Sequence, residues 1–530
     1  MSAWRSALGE EGATADAAVL DRYARTTQPE GARPACIVYP KSTAEVRAAL
    51  SIAAEHGIVA YPISRGRNWG YGDACAPTDG AAIFDLSGMN RIIEVNPELG
   101  YVVVEPGVTQ AQLHARVREE APGYWMDCTG AGEEASVLGN VIERGFGHTP
   151  YGDHIRTLCG MEIVLADGEV LRTGFCHYEG ARAAHVYPYG VGPILDGLFT
   201  QSNFGIVTRI GLWLYPAPEA FRFFFVRVER EDALGALVDA LRPLRMRGVL
   251  NSAVHIGNDL RIISSLRRYP WEATGGAAPL TPELRARLRR EHGLGAWNVS
   301  GALTGTAGQV RAAARALRRA VHPVGRTAFV DDRKIALAQQ AVSVLRRFGL
   351  GGRLARQLQA LIPNYGLLKG IPTDAPVIGA QWRLRTPALV DGCDPRDAGC
   401  GLLWISPVLP LRGRDAEELV ALTAPIFVKY GFDFLATFTM LNERSMVAIL
   451  NVAFDKAVAE ESRAAADCYH AVMAVLRHGG FIPYRLSVFG MRNWVDREDT
   501  FWRTAARIKR ALDPADIIAR GRYVPPLAGK

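Results

Sequence analysis

The glycine-rich stretch of residues 62–72 holds the residue types and spacing that are best suited to chemistry in this chain. Its three glycines permit tight turns that expose several backbone N–H groups. Successive N–H groups of this kind form a concave site for an anion such as a diphosphate. Arg65 and Arg67 add positive charge beside the turns. The stretch therefore indicates an anion-binding loop, although a plain turn would have the same composition.

Further motifs give this loop its context. In chain order they are residues 82–86, 89–91, 101–108, 139–140, 143–145, 149–154, 160–164, 199–207 and 512–518. In this order the chain resembles the vanillyl-alcohol oxidase and p-cresol methylhydroxylase family of flavoproteins, over nearly its whole length. The branch that it resembles most contains the oxidases and dehydrogenases of para-substituted phenols.

The resemblance implies an α+β fold with two domains. A PCMH-type FAD-binding domain is expected over residues 1–218, completed by 486–530. A cap domain, an antiparallel sheet flanked by helices, is expected over 219–485. By the same resemblance the flavin contacts fall on Ser64, Arg65, Gly66, Arg67, Asn68, Trp69, Gly139, Asn140, Arg144, Gly145, Tyr151, Gly152, Ile206, Val207 and Arg522. Arg522 would stand by flavin N1, with a surface arginine as the alternative.

Three residues match the family positions that hold the phenol oxygen: Tyr71, Tyr484 and Arg485. A free phenol has a pKa near 10, so ionising it at pH 7 costs about 4 kcal/mol. One guanidinium in a dry site shifts a pKa by roughly 1 to 3 units, and two hydroxyl donors add to that. The resemblance thus implies a phenolate that releases hydride from its benzylic carbon to flavin N5 and becomes a quinone methide. Ordinary packing is the alternative role for these side chains.

The flavin attachment departs from many relatives, in which a histidine bonded to the isoalloxazine precedes a Leu-aromatic-aromatic-Ser-Pro strand. Leu402 occupies that position here and cannot form the bond. Residues 390–401 contain no tyrosine, which the dehydrogenase branch uses instead. Cys400 would share the face of Leu402 in a strand, where an inert buried thiol is expected and a cysteinyl link to the flavin is the alternative. The sequence therefore predicts noncovalent FAD, with His148 and His154 in structural or hydrogen-bonding roles.

The acid/base group is a second departure. Relatives in the oxidase branch place an aspartate in the segment that corresponds to residues 125–136, and this chain offers Glu133 and Glu134 there instead. Glu134 is the better candidate because it lies nearer to Ala135 and Ser136, which lead to the Gly139-Asn140 motif, although exposed loop glutamates are common. Two histidine positions of relatives appear here as Met446 and Val447. The substrate pocket is therefore expected to differ from theirs.

A competing motif lies at residues 130–135, which fit the G-x-G-x-x-A form of the dinucleotide fingerprint with Asp153 about 20 residues further on. This reading would make the chain a Rossmann enzyme. It is the weaker reading, because the motif does not open the first strand-helix-strand unit of its domain. The family also places its second flavin loop here.

Composition bounds the remaining choices. A chain of 530 residues exceeds one ordinary core, so two domains are expected. No apolar run approaches the roughly 20 residues that span a bilayer, and residues 1–30 lack a signal peptide, so we expect a cytoplasmic protein without a membrane partner. The eight cysteines are scattered without Cys-x-x-Cys spacing, which argues against a metal site or a disulfide framework. The net charge of +7 lies mostly on amphipathic helices, which disfavours nucleic-acid binding.

The periodicity predicts a helix over residues 43–56, strands at 102–104, 162–165 and 206–214, and a helix over 232–242 that Pro243 ends. The expected function is oxidation of the benzylic carbon of a para-substituted phenol by an FAD-dependent oxidase or dehydrogenase. The expected partners are a phenolic substrate, O2 or an electron-transfer protein as acceptor, and a second copy in a homodimer. A natural-product tailoring oxidase or oxidative cyclase, or a flavin-binding protein without activity, are the alternatives.

Overall fold

The computed structural model describes residues 1–347, 352–385 and 394–527. Residues 390–393, part of the segment searched for a flavin-linking tyrosine and including Cys393, lie outside that description. The α+β prediction is confirmed, because helices are combined with several largely antiparallel sheets. No helix in the described part of the chain combines the length and the apolar character that crossing a membrane requires.

The elements of the N-terminal part precede residue 219. The strands are β1 (Ala13–Thr14), β2 (Cys36–Val38), β3 (Ala60–Ile63), β4 (Ala82–Asp85), β5 (Ile92–Asn96), β6 (Tyr101–Val104), β7 (Tyr124–Trp125), β8 (Leu158–Val164), β9 (Val170–Arg172), β10 (Ile206–Trp213) and β11 (Tyr215–Pro216). The helices are α1 (Ser2–Leu8), α2 (Ala17–Ala24), α3 (Thr43–Glu55), α4 (Gln110–Glu120) and α5 (Val137–Ile142).

Two main sheets form this part. One has the order β1-β2-β4-β3, with β4 parallel to both β2 and β3, and the other is antiparallel with the order β5-β6-β10-β8-β9. The helix predicted from residue 43 is confirmed, and the Ser42 side chain caps it by accepting the Glu45 N–H. The strands predicted at 102–104, 162–165 and 206–214 correspond to β6, β8 and β10.

The middle of the chain contributes a second set of elements. The strands are β12 (Ala220–Val228), β13 (Val254–Asn258), β14 (Trp297–Gly305), β15 (Arg326–Val330), β16 (Cys400–Ile405), β17 (Val408–Pro410), β18 (Leu435–Met440) and β19 (Ser445–Asp455). The helices are α6 (Leu234–Met246), α7 (Asp259–Ser264), α8 (Trp271–Thr274), α9 (Pro282–His292), α10 (Ala307–Val321), α11 (Asp332–Arg346), α12 (Gly352–Leu367), α13 (Gly413–Lys429) and α14 (Ala459–His478).

These strands form one large antiparallel sheet with the order β15-β12-β14-β13-β18-β19-β16, with β17 paired to β19. Side chains alternate between the faces of a strand. One face packs against α6, α10, α13 and α14 in the largest core cluster, and residues such as Phe224, Ile256 and Leu403 point there. Their sequence neighbours Phe225, His255 and Leu402 line a cavity instead. The sheet therefore separates a core from a potential site.

Pro243 does not end its helix as predicted, because α6 continues to Met246. Pro243 removes one backbone donor, yet the helix continues for three residues beyond it. The chain turns only afterwards, at Gly248, which has a φ of 70°. A glycine tolerates this left-handed conformation, so it and not the proline sets the end of the helix.

The C-terminal part adds α15 (Val488–Trp494) and α16 (Thr500–Leu512) and returns to the first sheet. Ala60 of β3 donates its N–H to the carbonyl of Ile517 and accepts the N–H of Ala519. Ile517 and Ile518 are buried in the core cluster of that sheet. The division at residues 218/219 and 485/486 stays a prediction.

Candidate active site

A cavity of about 1350 Å³ lies between the N-terminal part and the large sheet. The glycine-rich loop, the segment around Gly139 and the C-terminal Arg522 line one side of it, and strands β12, β13, β14 and β16 line the other. Single ligand sites of about 300 to 1,000 Å³ are usual. The cavity is therefore large enough for a cofactor and a substrate together.

The glycine-rich loop is held against the large sheet by close backbone contact. Gly70 has a φ of 74°, and a Cβ added to it would overlap the ring of Trp404. Only glycine satisfies both the left-handed backbone and the approach of the indole. Gly70 also donates its N–H to Thr27 Oγ1 over 2.8 Å. These contacts fix the loop so that Tyr71 follows directly at the cavity wall.

The two segments predicted to contact flavin lie side by side. A Cβ added to Gly139 would lie 3.2 Å from Ser64 Oγ, so the loops touch. At the same wall the buried atoms Trp69 Nε1 and Asn203 Oδ1 have no hydrogen-bond partner within the described residues. Unsatisfied buried polar groups of this kind fit a polar ligand that completes them. The residues present therefore fit the isoalloxazine and diphosphate of FAD.

The structure brings most of the predicted contacts together. The predicted residues that line the cavity are Ser64, Arg65, Gly66, Arg67, Asn68, Trp69, Tyr71, Gly139, Asn140, Gly145, Ile206, Val207, Tyr484, Arg485 and Arg522. Four others do not line it. Arg144 Nε donates to Thr200 Oγ1, the Tyr151 ring packs on Tyr215, Gly152 lies beside Leu441, and Glu134 is considered below. The roles of these residues stay predictions.

Tyr71, Tyr484 and Arg485 converge at one point of the wall. The Tyr71 hydroxyl lies 2.7 Å from Ser406 Oγ, and the Arg485 guanidinium carbon lies 4.2 Å from the centre of the Tyr71 ring. Burial, followed by the neighbouring Tyr484, raises the pKa of Tyr71 well above its usual value. Burial also raises the pKa of Tyr484. Both phenols therefore stay protonated near pH 7 and can donate hydrogen bonds to an anion.

Glu143 holds Arg485 in place and was not predicted as a site residue. Its carboxylate accepts Arg485 Nε at 3.1 Å and the Tyr523 hydroxyl at 2.9 Å, and it forms an ion pair with Arg522. Although burial opposes ionisation, Arg522 and Arg485 lower the pKa of Glu143 to about 2. Arg485 Nη2 further donates to Asn68 Oδ1 at 2.5 Å. One buried carboxylate thus orients two guanidinium groups.

Two histidines from distant segments meet at the cavity. His148 Nδ1 lies 2.9 Å from His255 Nε2, and His255 Nδ1 lies 3.0 Å from Thr439 Oγ1. Burial lowers the pKa of His148 to about 4 and that of His255 well below its usual value. The pair is therefore neutral near pH 7. His154 lies away from it, 2.7 Å from Asn140 Oδ1 through Nδ1.

Of the two candidate glutamates, Glu133 lines the cavity and Glu134 does not. Glu134, predicted as the acid/base, does not line the cavity, because its carboxylate is paired with Arg65 and its side chain is 46% exposed. Glu133 lines the cavity but is exposed, and its N–H donates to Asp374 Oδ1 at 2.9 Å. The acid/base role predicted for Glu134 stays a prediction, and its pairing with Arg65 outside the cavity lining does not favour it.

The strand predicted to pass the flavin is β16. Leu402 and Trp404 line the cavity, as their alternation requires, and Ser406 follows them to meet Tyr71. Cys400 is fully buried beside Leu402 in a small apolar cluster, and burial raises the pKa of its thiol to about 12. A protonated thiol is a poor nucleophile. Met446 and Val447, which replace the relatives' histidines, are buried and do not line the cavity.

The side of the cavity that the large sheet and α7 line, here called the cap side, contains one arginine that no sequence pattern had singled out. Arg261, on α7, lines the cavity, and its Nε has no hydrogen-bond partner in the described residues. Its guanidinium carbon lies 6.0 Å from the ring of Trp404. Burial lowers the pKa of Arg261 to about 10, so the group remains a cation at neutral pH.

Comparisons with known proteins now identify the family. The model of an FAD binding domain matches residues 34–174. The chain is 31% identical to the 4-cresol dehydrogenase [hydroxylating] flavoprotein subunit of Pseudomonas putida, over 98% of this chain and 94% of the relative. The chain belongs to the vanillyl-alcohol oxidase and p-cresol methylhydroxylase flavoprotein family. It is an FAD-dependent oxidoreductase, and the predicted PCMH-type fold and FAD cofactor are confirmed.

Two further members of the family are similar over the whole chain. The 1'-carboxy-chondrochloren decarboxylase of Chondromyces crocatus is 34% identical over 99% of this chain and 96% of its own length. The solved structure of the 4-ethylphenol oxidase from Gulosibacter chungangensis, in an isoeugenol complex, matches with a TM-score of 0.89 and 30% identity. That match covers 100% of this chain and 97% of the oxidase. The family therefore includes enzymes with different reactions on similar folds.

Proposed function

We propose that this enzyme oxidises the benzylic carbon of a para-substituted phenol. The observation that carries the proposal is the convergence of Tyr71, Tyr484 and Arg485 at one point of the cavity wall. The names of the 4-cresol dehydrogenase and the 4-ethylphenol oxidase support a phenolic substrate. The alternative of a flavin-binding protein without activity has no support in this geometry, because the charged group needed for phenolate binding is in place.

The chain's own residues would prepare the substrate. The two protonated tyrosines donate to the phenol oxygen, and Arg485, oriented by Glu143, supplies the positive charge that favours the phenolate. A guanidinium in a dry site lowers a pKa by roughly 1 to 3 units, and the tyrosine donors add to this. Electron release from the phenolate then weakens the benzylic C–H bond, and loss of hydride leaves a quinone methide. FAD, when bound, supplies the hydride acceptor at flavin N5.

The cofactor is proposed to be noncovalent. Leu402 replaces the linking histidine of many relatives, and the Cys400 thiol is buried and protonated. Acid precipitation of the purified yellow protein should therefore release FAD into the supernatant. Flavin that stays in the pellet and fluoresces on a denaturing gel would contradict this and would direct attention to Cys400.

The clamp is tested by changing Arg485 to Leu. Loss of a charged hydrogen bond to a buried anion costs roughly 2 to 5 kcal/mol, so anaerobic flavin reduction by 4-ethylphenol should slow by at least ~30-fold. Bound FAD, measured by absorbance, should be kept. Arg311→Leu, on an exposed face of α10, is the matched control. Near-normal reduction by the Arg485 variant would show that the phenol binds elsewhere.

A second candidate is a natural-product tailoring oxidase or oxidative cyclase with a larger phenolic substrate. The cavity extends beyond the clamp along the large sheet to α11 and α12, where Lys334, Ile335 and Leu361 line it. The relative from Chondromyces crocatus is named as a decarboxylase of 1'-carboxy-chondrochloren, which supports this candidate. Anaerobic titration with simple para-alkylphenols separates the two. Flavin bleaching supports the first function, and bound FAD without bleaching supports the second.

We further propose O2 or an electron-transfer protein as the acceptor, a homodimer, and a cytoplasmic location. The cysteines of the described part are all free thiols, which suits a reducing compartment. Stopped-flow mixing of the reduced enzyme with O2 distinguishes the acceptors, because fast reoxidation identifies an oxidase. Light scattering of the purified protein measures the oligomeric state.

A further inference from the structure

Among the described arginines that line the cavity, Arg261 is distinguished by a buried Nε without an acceptor, whereas Arg67, also without an ion pair there, has its guanidinium carbon 5.8 Å from the Trp69 ring. Arg65 is paired with Glu134, and Arg485 and Arg522 share Glu143. Lys334 is exposed and donates a hydrogen bond to the Phe329 carbonyl. Within the described residues, Arg261 has neither an ion pair nor a hydrogen-bond acceptor for its Nε. An enclosed charge without a partner is costly, so such groups normally have one.

Three neighbouring residues define the position of the Arg261 guanidinium. A Cβ added to Gly379 would lie 3.2 Å from Arg261 Nη1, so the guanidinium packs closely against the backbone at Gly379. Asn258 caps the start of α7 by accepting the backbone N–H of Arg261, which fixes the residue just after β13. The indole of Trp404 lies beside the guanidinium. Arg261 is thus held at the cavity wall by its position on α7.

The position of Arg261 relative to the clamp follows from β16. Ser406, which contacts the Tyr71 hydroxyl, lies two residues after Trp404, and that spacing in extended chain is about 7 Å. Arg261 lies beside Trp404 and lines the same cavity as the clamp. A phenol held at the clamp can therefore extend its para side chain within this cavity towards the guanidinium. A negative group at the end of that side chain would meet the guanidinium.

We propose that Arg261 binds a carboxylate at the end of the para side chain of the substrate. The substrate class is therefore para-substituted phenols whose side chain carries an acid group, held at one end by the phenolate clamp and at the other by Arg261. Guanidinium matches the planar carboxylate through paired N–H donors. The proposal rests on the proposed function, since it requires the phenol end to occupy the clamp.

Binding of inert analogues to the oxidised holoenzyme tests the proposal without turnover. The probes are 4-hydroxyphenoxyacetate and 4-(4-hydroxyphenoxy)butanoate, which carry an ether oxygen in place of the benzylic carbon, and the methyl ester of each. Dissociation constants come from the change in flavin absorbance and from calorimetry. A hydrogen bond to a charged group predicts that at least one acid binds about 10- to 100-fold more tightly than its ester. Arg261→Gln should remove this preference and leave ester binding unchanged within about 3-fold.

The controls separate the possible failures. Arg261→Lys keeps the charge and should retain part of the preference, and Arg311→Gln, on an exposed helix face, should retain all of it. Equal binding of acid and ester by the parent protein overturns the carboxylate proposal even if the variants do not fold. If neither acids nor esters bind to the parent, the phenol clamp itself is wrong, and the proposed function fails together with the proposal.

Discussion

Arg485 and Arg522 lie on the side of the cavity that Glu143 and the glycine-rich loop line, here called the flavin side, and they share the Glu143 carboxylate. Arg261 lies on the cap side and has no acidic partner within the described residues. The first arrangement is complete without a ligand and sets the direction of the guanidinium groups in advance. The second is incomplete and leaves a charge for a ligand to neutralise. The difference suggests that the flavin side fixes the reaction, while the cap side selects the substrate.

The largest effect is expected from Glu143→Gln, which removes the charge that two buried guanidinium groups share. Breaking a buried ion pair on one side costs about 3 to 5 kcal/mol, and the free energy of unfolding of the holoenzyme should fall by that amount. Urea denaturation measures it. Glu460→Gln, which removes an exposed pair with Arg463, should cost less than about 1 kcal/mol. Equal losses in the two variants would show that the Glu143 network adds no stability.

The next effect is the pH dependence of the free energy of unfolding. His148 and His255 contact each other across the flavin side and the cap side of the cavity. Burial lowers the pKa of His148 from 6.5 to about 4, so below pH 6.5 the unfolded chain binds a proton that the folded chain does not. Stability should therefore fall as pH decreases from about 6.5 towards 4, by about 1.4 kcal/mol per pH unit for each histidine. Urea denaturation at several pH values measures the slope.

A matched pair of variants assigns that slope. His148→Gln combined with His255→Gln should flatten it, while His56→Gln, at an exposed position, should leave it unchanged. If the double variant loses stability in acid as steeply as the parent, the histidines are protonated in the folded protein and the cap side tolerates more charge than the comparison implies.

Arg261→Met should have a smaller effect of the opposite sign. Without ligand, removing an unpaired enclosed charge should raise the free energy of unfolding by about 1 kcal/mol, because methionine pays no desolvation cost. Thermal denaturation of the holoenzyme measures the shift. A loss of stability comparable with that of Glu143→Gln would mean that Arg261 has a structural partner and that the two sides do not differ.

The smallest effect is expected from Glu134→Gln. The Glu134 carboxylate is paired with Arg65 and does not line the cavity, so its loss should change the rate of flavin reduction by phenols by less than about 5-fold, the range of an exposed pair. Rapid-mixing absorbance gives the rate, with Glu133→Gln measured alongside. A decrease of ~10²-fold or more for Glu134→Gln would restore it as the acid/base group.

Local sequence patterns were sufficient for part of the site. The glycine-rich loop and the Tyr484-Arg485 pair are contiguous motifs, and the structure places both at the cavity. Glu143 lies within a recognised motif, but its partner Arg485 is 342 residues away, and nothing local indicates that they meet. Contacts of this kind depend on how distant segments pack, which periodicity does not encode.

His255 and Arg261 show the same limit in the cap. His255 lies on β13, and its contact with His148, 107 residues earlier, depends on the docking of the large sheet on the N-terminal part. Arg261 follows the same strand in a helix of six residues, and no local pattern in that helix selects the arginine. The acid/base role of Glu134 stays a prediction, because spacing along a loop did not indicate that Arg65 pairs with its carboxylate.

The alternation along the large sheet also bears on how such enzymes diversify. Alternate positions of one strand face different environments. On β12, Phe224 and Val226 belong to the largest core cluster, whereas Phe225 faces the cavity. On β19, Leu450 belongs to that cluster and Ile449 faces the cavity. Replacing the cavity-facing member leaves the largest core cluster intact, so the chemistry of the pocket can change at a smaller cost to folding than a change at a core position. A mutant library confined to the cavity-facing positions of these strands would therefore vary substrate specificity at low cost to folding.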